Sequence, residues 1–138
     1  MPSSQKTPNL ALNSWSGADK PKMDDFNSDN LKLDAAFHRM DPVIGSYVGD
    51  AKITRTVDIG FRPRICFVFT DTIPLFRMNP AQYTEVQIGF AILSELGCTM
   101  GTALTDNGFS VRFGGGEYNY DSFMLNVKDQ NYFYIAYR

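Results

Sequence analysis

The spacing of apolar residues changes near residue 42, and this change constrains the fold more than any other feature of the chain. Between residues 24 and 38 apolar side chains recur at helical intervals, whereas from residue 43 onward they recur at every second position. An amphipathic helix produces the first pattern, and strands that bury one face produce the second. The sequence therefore predicts an N-terminal segment, residues 1–42, followed by a β-domain, residues 43–138.

Short alternating segments separated by turn signals are typical of an antiparallel β-sandwich. The strongest turn signal is Asp106-Asn107-Gly108, which predicts a hairpin. No second segment of useful length has helical spacing, and this argues against helices layered on a parallel sheet. We predict an all-β fold, an antiparallel β-sandwich preceded by an extended N-terminal arm and one short α-helix.

The predicted strands cover residues 52–61, 65–69, 86–92, 98–103, 109–113, 123–127 and 132–137. A loop is predicted over residues 71–80, which contain two prolines. Two of the strands, 65–69 and 132–137, are apolar at both even and odd positions, so each should be covered on both faces. A lone sandwich of this size does not need two such strands. The surplus indicates that a neighbouring copy covers one outer sheet face.

Residues 1–23 predict an arm, because prolines restrict helix formation there and the isolated apolar residues are too few for a core. Those apolar residues are Leu10, Leu12 and Trp15. Their alternation with polar neighbours suits a strand added to another surface, and a mobile tail is the equal alternative.

The predicted helix covers residues 24–38, and either Asp24 or Asp25 can cap its first turn. Phe26, Leu33 and Phe37 form its apolar stripe. A helix of this length is marginal in water, so the stripe must dock on a partner surface. That surface is either the chain's own β-domain or the same helix in sister copies.

The charged and chemically reactive residues argue against several classes of function. The net charge of −2 offers no basic field for nucleic acid, and no apolar stretch is long enough for membrane insertion. His38 is the only histidine, so we expect no metal site, no cofactor and no enzymatic activity. Cys66 and Cys98 are expected to be two buried reduced thiols rather than a disulfide.

Tyrosines crowd the last third of the chain. Tyr132 and Tyr134 are expected to fill the core or a subunit interface. Tyr118 and Tyr120 flank Asn119 and follow three consecutive glycines, so they suit sugar stacking and interface packing equally well. These three residues are the candidate ligand-binding site.

Five stretches of the sequence, in their order, resemble tail-fibre and baseplate-associated proteins of phages and prophages, often from Gram-positive hosts. The stretches are TPNLALNSWSGADKPKMDDFNSDNLKLDAAF (7–37), GSYVGD (45–50), TRTVDIGFRPRICFVFTD (54–71), NGFSV (107–111) and YFYIAYR (132–138). In those proteins an N-terminal attachment segment precedes a small β-module at the fibre end. The chain departs from them in lacking a fibre shaft, and residues 72–82 stand where the module commonly has Gly/Ser-rich loops.

The resemblance implies a structural component of a phage tail or tail-like particle, assembled as a homotrimer in the bacterial host cytoplasm and carried on the virion. It implies that the arm and helix attach to other tail or baseplate proteins and to sister chains, through Leu10, Leu12, Trp15, Phe26, Leu33 and Phe37. The β-module would either bind a host surface carbohydrate as a fibre tip or serve a purely structural role in a collar, baseplate or decoration protein.

Overall fold

The computed structural model describes residues 3–79, 82–115 and 121–138. The chain divides into two compact units, Met1–Asp41 and Pro42–Arg138. The boundary falls one residue before the predicted one, between the end of the helix and the proline that stops it.

In the N-terminal unit a short hairpin precedes the helix α1. Strand β1 (Gln5–Lys6) pairs antiparallel with β2 (Asn13–Ser14), and α1 spans Met23–Met40. The helix thus begins one residue before the predicted start and ends two residues after the predicted end. The Asp25 carboxylate accepts a hydrogen bond from the Lys22 backbone N–H at 3.0 Å, which satisfies a free donor at the helix start.

The arm packs against its own helix, which neither of the two predicted alternatives anticipated. The Asn13 side chain donates hydrogen bonds to the Asp29 carboxylate at 3.0 Å and to the Asp25 carbonyl at 3.2 Å. The Trp15 ring lies 5.8 Å from the Phe26 ring, measured between centroids. These polar and aromatic contacts fix the hairpin over the first turns of α1.

Eleven strands are described in the second unit. They are β3 (Val43–Val48), β4 (Thr54–Asp58), β5 (Ile65–Phe69), β6 (Phe76–Asn79), β7 (Gln82–Ile88), β8 (Phe90–Ser94), β9 (Gly97–Cys98), β10 (Thr102–Thr105), β11 (Gly108–Gly115), β12 (Asp121–Met124) and β13 (Asn131–Tyr137). One sheet has the order β3-β13-β5-β8-β9, and the other has the order β10-β11-β12-β7-β6 with β4 paired to β11. The predicted all-β sandwich is confirmed.

The core of the sandwich lies between the two sheets. Tyr132, Val68 and Leu93 come from the five-stranded sheet, and Phe109 and Val111 come from the other; all five side chains are fully buried. The Asp106-Asn107 turn joins β10 to β11, so the predicted hairpin is confirmed. One pairing is parallel, that of β12 with β7, whereas the other described pairings are antiparallel.

Three predicted elements are wrong because the chain changes sheets where its alternation gives no sign. The strand predicted over residues 86–92 is two strands, β7 and β8, that separate at Gly89 and belong to different sheets. Residues 98–103 likewise divide between β9 and β10. The loop predicted over residues 71–80 contains β6, which pairs with β7 at the sheet edge.

Two further corrections concern residues near the ends of strands. The predicted strand 123–127 ends at Met124. Beyond that point the chain leaves the sheet, and the Asn126 side chain binds the Asp50 carboxylate. Cys66 is buried and reduced as expected, but Cys98 is exposed because it ends the short strand β9. Burial raises the pKa of the Cys66 thiol to about 12.

Gly49 provides a direct test of how closely the segment after β12 approaches β3. A Cβ at Gly49 would lie 1.8 Å from the Val127 carbonyl oxygen, a backbone atom, whereas a Cβ at Gly97 would meet nothing within 4 Å. We expect Gly49→Ala to lower the free energy of unfolding by about 1–3 kcal/mol and Gly97→Ala to change it little. Urea unfolding of both variants measures this, and equal effects of the two substitutions would contradict the described packing.

Candidate assembly face

The outer face of the five-stranded sheet is built from apolar residues. Strand register places Ile44, Ile135, Phe67 and Ile92 in one row across β3, β13, β5 and β8. A second row crosses Ser46, Phe133, Phe69 and Phe90. We name the outward residues of these four strands the outer apolar face; they are Ile44, Ser46, Val48, Ile65, Phe67, Phe69, Phe90, Ile92, Ser94, Asn131, Phe133, Ile135 and Tyr137.

Several side chains on this face are open to solvent. Ile44 is 71% exposed, Val48 is 50% exposed and Ile92 is 40% exposed. Phe69 and Phe133 contact each other across neighbouring strands, with ring centroids 5.8 Å apart. None of the residues that define the face carries a charge. The face therefore has the composition of an interface centre rather than that of a solvated surface.

The opposite outer face of the sandwich has a different composition. Register places Thr54, Thr56, Asp58, Ala103, Thr105, Ser110 and Arg112 on the outer side of β4, β10 and β11. Polar and charged side chains dominate this set. An antiparallel sheet with one solvated side shows this pattern. The outer side of the five-stranded sheet departs from the pattern of these three strands, so it needs a separate explanation.

The size of the outer apolar face is sufficient for the centre of a protein interface. Four strands about 4.8 Å apart, each with about five residues rising about 3.3 Å, cover on the order of 300 Å². This area is within the range of about 300–600 Å² for the largest apolar patch of a typical monomer, so the composition of the face and not its size distinguishes it. A standard interface buries about 800 Å² per partner, with its apolar residues at the centre and a polar rim around them.

Two buried tyrosines hold β3 at the edge of this sheet. The rings of Tyr47 and Tyr132 stack with centroids 5.0 Å apart. The Tyr47 hydroxyl donates to the Leu125 carbonyl at 2.6 Å, and the Tyr132 hydroxyl donates to the Met124 carbonyl at 2.5 Å while accepting from the Val127 N–H at 3.0 Å. Burial raises the pKa of both phenols, so both remain neutral donors at physiological pH.

Asp50, which lies two residues after β3, is also bonded to the segment that follows β12. Its carboxylate accepts hydrogen bonds from the Asn126 side chain at 2.6 Å and from the Lys52 backbone N–H at 3.1 Å. The Asn126 side-chain oxygen in turn accepts the Asp50 backbone N–H at 3.1 Å. The hydrogen bond from Asn126, followed by that from Lys52, lowers the pKa of Asp50 below its ordinary value of 3.8.

The residues predicted for oligomerisation and attachment are partly covered by their own unit. Trp15 packs against Phe26 with the two rings tilted, while Leu12 and Leu33 are half-buried. Phe37 is 64% exposed and Leu10 is 38% exposed. Leu10 belongs to a groove of about 470 Å³ between the arm and α1, whose lining residues are Asn9, Leu10, Ser28, Leu31, Lys32, Ala35, Ala36 and Arg39.

The candidate ligand-binding residues Tyr118, Asn119 and Tyr120 lie outside the described residues. Tyr132 is fully buried in the core, as expected, and Tyr134 packs against the core from its margin. Sequence reasoning missed Ile44, Val48 and Ile92 as members of a surface. The sequence did show that neighbouring strands are apolar at both even and odd positions. Which of these residues share a surface can be said only when the strand register is known.

Neither a metal-holding cluster nor a membrane-spanning helix is found in the described part of the chain. No group of three or more His, Cys, Asp and Glu residues is placed to hold a metal ion there. Within the same residues, no helix combines the length and apolarity needed to cross a membrane.

Comparisons with protein-family models, with curated proteins and with solved structures gave no significant match to this chain.

The contacts of Asp50 predict how stability depends on pH. Because the pKa of Asp50 is lower in the folded state, its ionised form stabilises the fold above about pH 4, and this contribution is lost as the pH falls through the lowered pKa. We expect Asp50→Asn to lower the melting temperature at pH 7, with a difference from the unmodified chain that shrinks below pH 4. Melting curves from pH 2.5 to 7 measure this, and a difference that stays constant with pH would contradict it.

Proposed function

We propose that this chain is a structural component of a phage tail or tail-like particle and that it assembles with copies of itself through the outer apolar face. The observation that carries the proposal is the contrast between the two outer faces of the sandwich. The outer side of β4, β10 and β11 is polar, as a solvated sheet requires, and the outer side of the five-stranded sheet is uncharged and apolar over four strands. Assembly with identical copies covers the second face without requiring another kind of protein.

The resemblance to tail-fibre and baseplate-associated proteins supports the assignment of the assembly to a phage tail or tail-like particle. It implies three copies in the assembly, attachment to other tail or baseplate proteins through the N-terminal unit, and a location on the virion after assembly in the host cytoplasm. In the proposal Phe37 and Leu10 contact those neighbours, because both side chains are exposed in the N-terminal unit. The proposed role includes no catalytic step, cofactor or metal.

Within this proposal, self-assembly through the outer apolar face is compatible both with a purely structural role and with a fibre tip. A fibre-tip role would add a host carbohydrate as a partner, held by Tyr118, Asn119 and Tyr120. Several weak sites on one particle would then combine into strong attachment. Two experiments separate self-assembly from carbohydrate binding.

The first experiment replaces Ile92, which lies on the outer apolar face and is exposed enough to accept a longer side chain. We expect Ile92→Lys to lower the mass of the assembly, because it places a charge where a copy excludes water. The matched control is Thr56→Lys on the polar outer face, which should leave the mass unchanged. Sedimentation equilibrium measures the mass of each variant.

The same pair of variants tests membership of the particle. In a producing strain, Ile92→Lys should be depleted from purified tail particles while Thr56→Lys is retained, as measured by mass spectrometry. The proposal is wrong if the unmodified chain is a single protomer in solution, or if neither variant nor the unmodified chain is found in particles.

The second experiment tests the carbohydrate role on the assembled protein. If the fibre-tip role holds, a glycan array should show binding that Tyr118→Ala and Tyr120→Ala each reduce, since the stacking of a sugar on an aromatic ring is lost. Thr56→Ala serves as the control, because it lies on the polar outer side of β4 and leaves both the outer apolar face and the three candidate residues intact. Absent binding, or binding that both Tyr118→Ala and Tyr120→Ala leave unchanged, would leave the purely structural role.

A further inference from the structure

Strand β3 forms one edge of the five-stranded sheet, and half of its backbone groups point away from that sheet. The Gly49 N–H donates to the Gln130 carbonyl at 2.8 Å, so residue 49 faces β13. Backbone direction alternates along a strand, so Gly45 and Tyr47 face β13 and Ile44, Ser46 and Val48 face outward. The Arg55 guanidinium confirms this direction, because its Nη1 donates to the outward Val48 carbonyl.

Apart from the Arg55 guanidinium at the Val48 carbonyl, the outward edge of β3 lacks the devices that usually protect an edge strand. Its six residues include no charge and no proline, and its pairing with β13 runs without a bulge. Of the other edge strands, β4 carries Arg55 and Asp58, β9 is only two residues long, and β10, which also lacks charge and proline, has four residues against the six of β3. Ile44 and Val48, both half-exposed or more, border the open edge. Such an edge is a template for another strand.

We propose that β3 pairs antiparallel with β3 of a second copy about a twofold axis at Gly45. The inference rests on the self-assembly part of the proposed function and names a further surface through which copies meet. Residue 44 then lies opposite the partner's Ser46, and residue 46 lies opposite the partner's Ile44. Both residues present N–H and carbonyl groups outward, so the two pairs exchange four backbone hydrogen bonds.

Two residues at the ends of β3 select this register. The Val48 carbonyl is already occupied by Arg55, so it has little need of a second donor. With the axis at Gly45, Val48 lies opposite the partner's Pro42, which has no N–H to offer. With the axis at Ser46 instead, the N–H of the partner's Ile44 would face the occupied Val48 carbonyl. The Gly45 axis therefore matches each available donor to an available acceptor.

The pairing has consequences for the size of the assembly. It joins two five-stranded sheets edge to edge and places their outer apolar faces side by side as one surface. A twofold pair requires an even number of chains. Combined with the three copies that the resemblance implies, it gives an assembly of six chains, two trimers joined through β3.

Proline at position 46 tests the pairing in the full chain. The Ser46 N–H points away from β13, so Ser46→Pro removes a donor from the open edge and none from the fold. We expect Ser46→Pro to halve the solution mass and Ser46→Ala, which keeps the N–H, to leave it unchanged. Far-ultraviolet circular dichroism checks that Ser46→Pro is folded. An unchanged mass for folded Ser46→Pro overturns the proposal.

Disulfide cross-linking tests the register independently of proline. Residues directly opposite in a hydrogen-bonded pair have Cα atoms about 5.5 Å apart, within the range that a disulfide spans. In a Cys98→Ser background, co-expressed Ile44→Cys and Ser46→Cys chains should form mixed disulfide dimers in several-fold excess over either variant expressed alone. No excess of mixed dimers overturns the Gly45 axis, even where Ser46→Pro has failed to fold.

The two proposals fail in different ways. If Ile92→Lys dissociates the assembly while Ser46→Pro leaves its mass unchanged, the β3 pairing is wrong and self-assembly through the outer apolar face stands. A solution mass of three chains for the unmodified protein would also show that the β3 pairing is wrong and that self-assembly through the outer apolar face stands. If the unmodified chain is a single protomer, both proposals are wrong.

Discussion

The stacked pair of Tyr47 and Tyr132 is the contact on which the five-stranded sheet depends. The two rings join β3 to β13, and the Tyr47 ring also meets Phe109 of the other sheet at 6.2 Å between centroids. Their hydroxyls bind the backbone of residues 124–127, which leaves β12 at that point. Loss of either hydroxyl would leave buried backbone groups without partners, which is more destabilising than the loss of an ordinary hydrogen bond. The position of β3, and with it the open edge, follows from this pair.

Sequence periodicity predicted the class of fold because burial on one face requires alternation in any sandwich. It could not predict which strands pair. Val86, Ile88, Phe90 and Ile92 stay in phase across Gly89, although the chain passes from one sheet to the other at that glycine. Alternation reports which side of a strand is buried, but the hydrogen-bonding partner depends on residues distant in the sequence.

The candidate site was predictable only in part, and for the same reason. The apolar excess of residues 65–69 and 132–137 predicted a covered outer face, and the structure shows which side of each strand forms it. Cys66 and Val68 face the core, whereas Phe67 and Phe69 face outward. Phenylalanine and valine suit either side equally, so composition could not assign them. Ile44 contributes through a strand that alternation did not identify, because Gly45 and Ser46 interrupt its apolar pattern.

The order in which the strands are synthesised adds a constraint on when copies can meet. β13 lies between β3 and β5 in the sheet, yet it is made after both of them and after every other described strand. Until β13 has left the ribosome, β3 has no neighbour in the sheet and the rows of the outer apolar face do not exist. Long-range pairing of this kind is slow and exposes apolar surface while it is incomplete. Recognition through the outer apolar face therefore has to wait until β13 has closed the sheet.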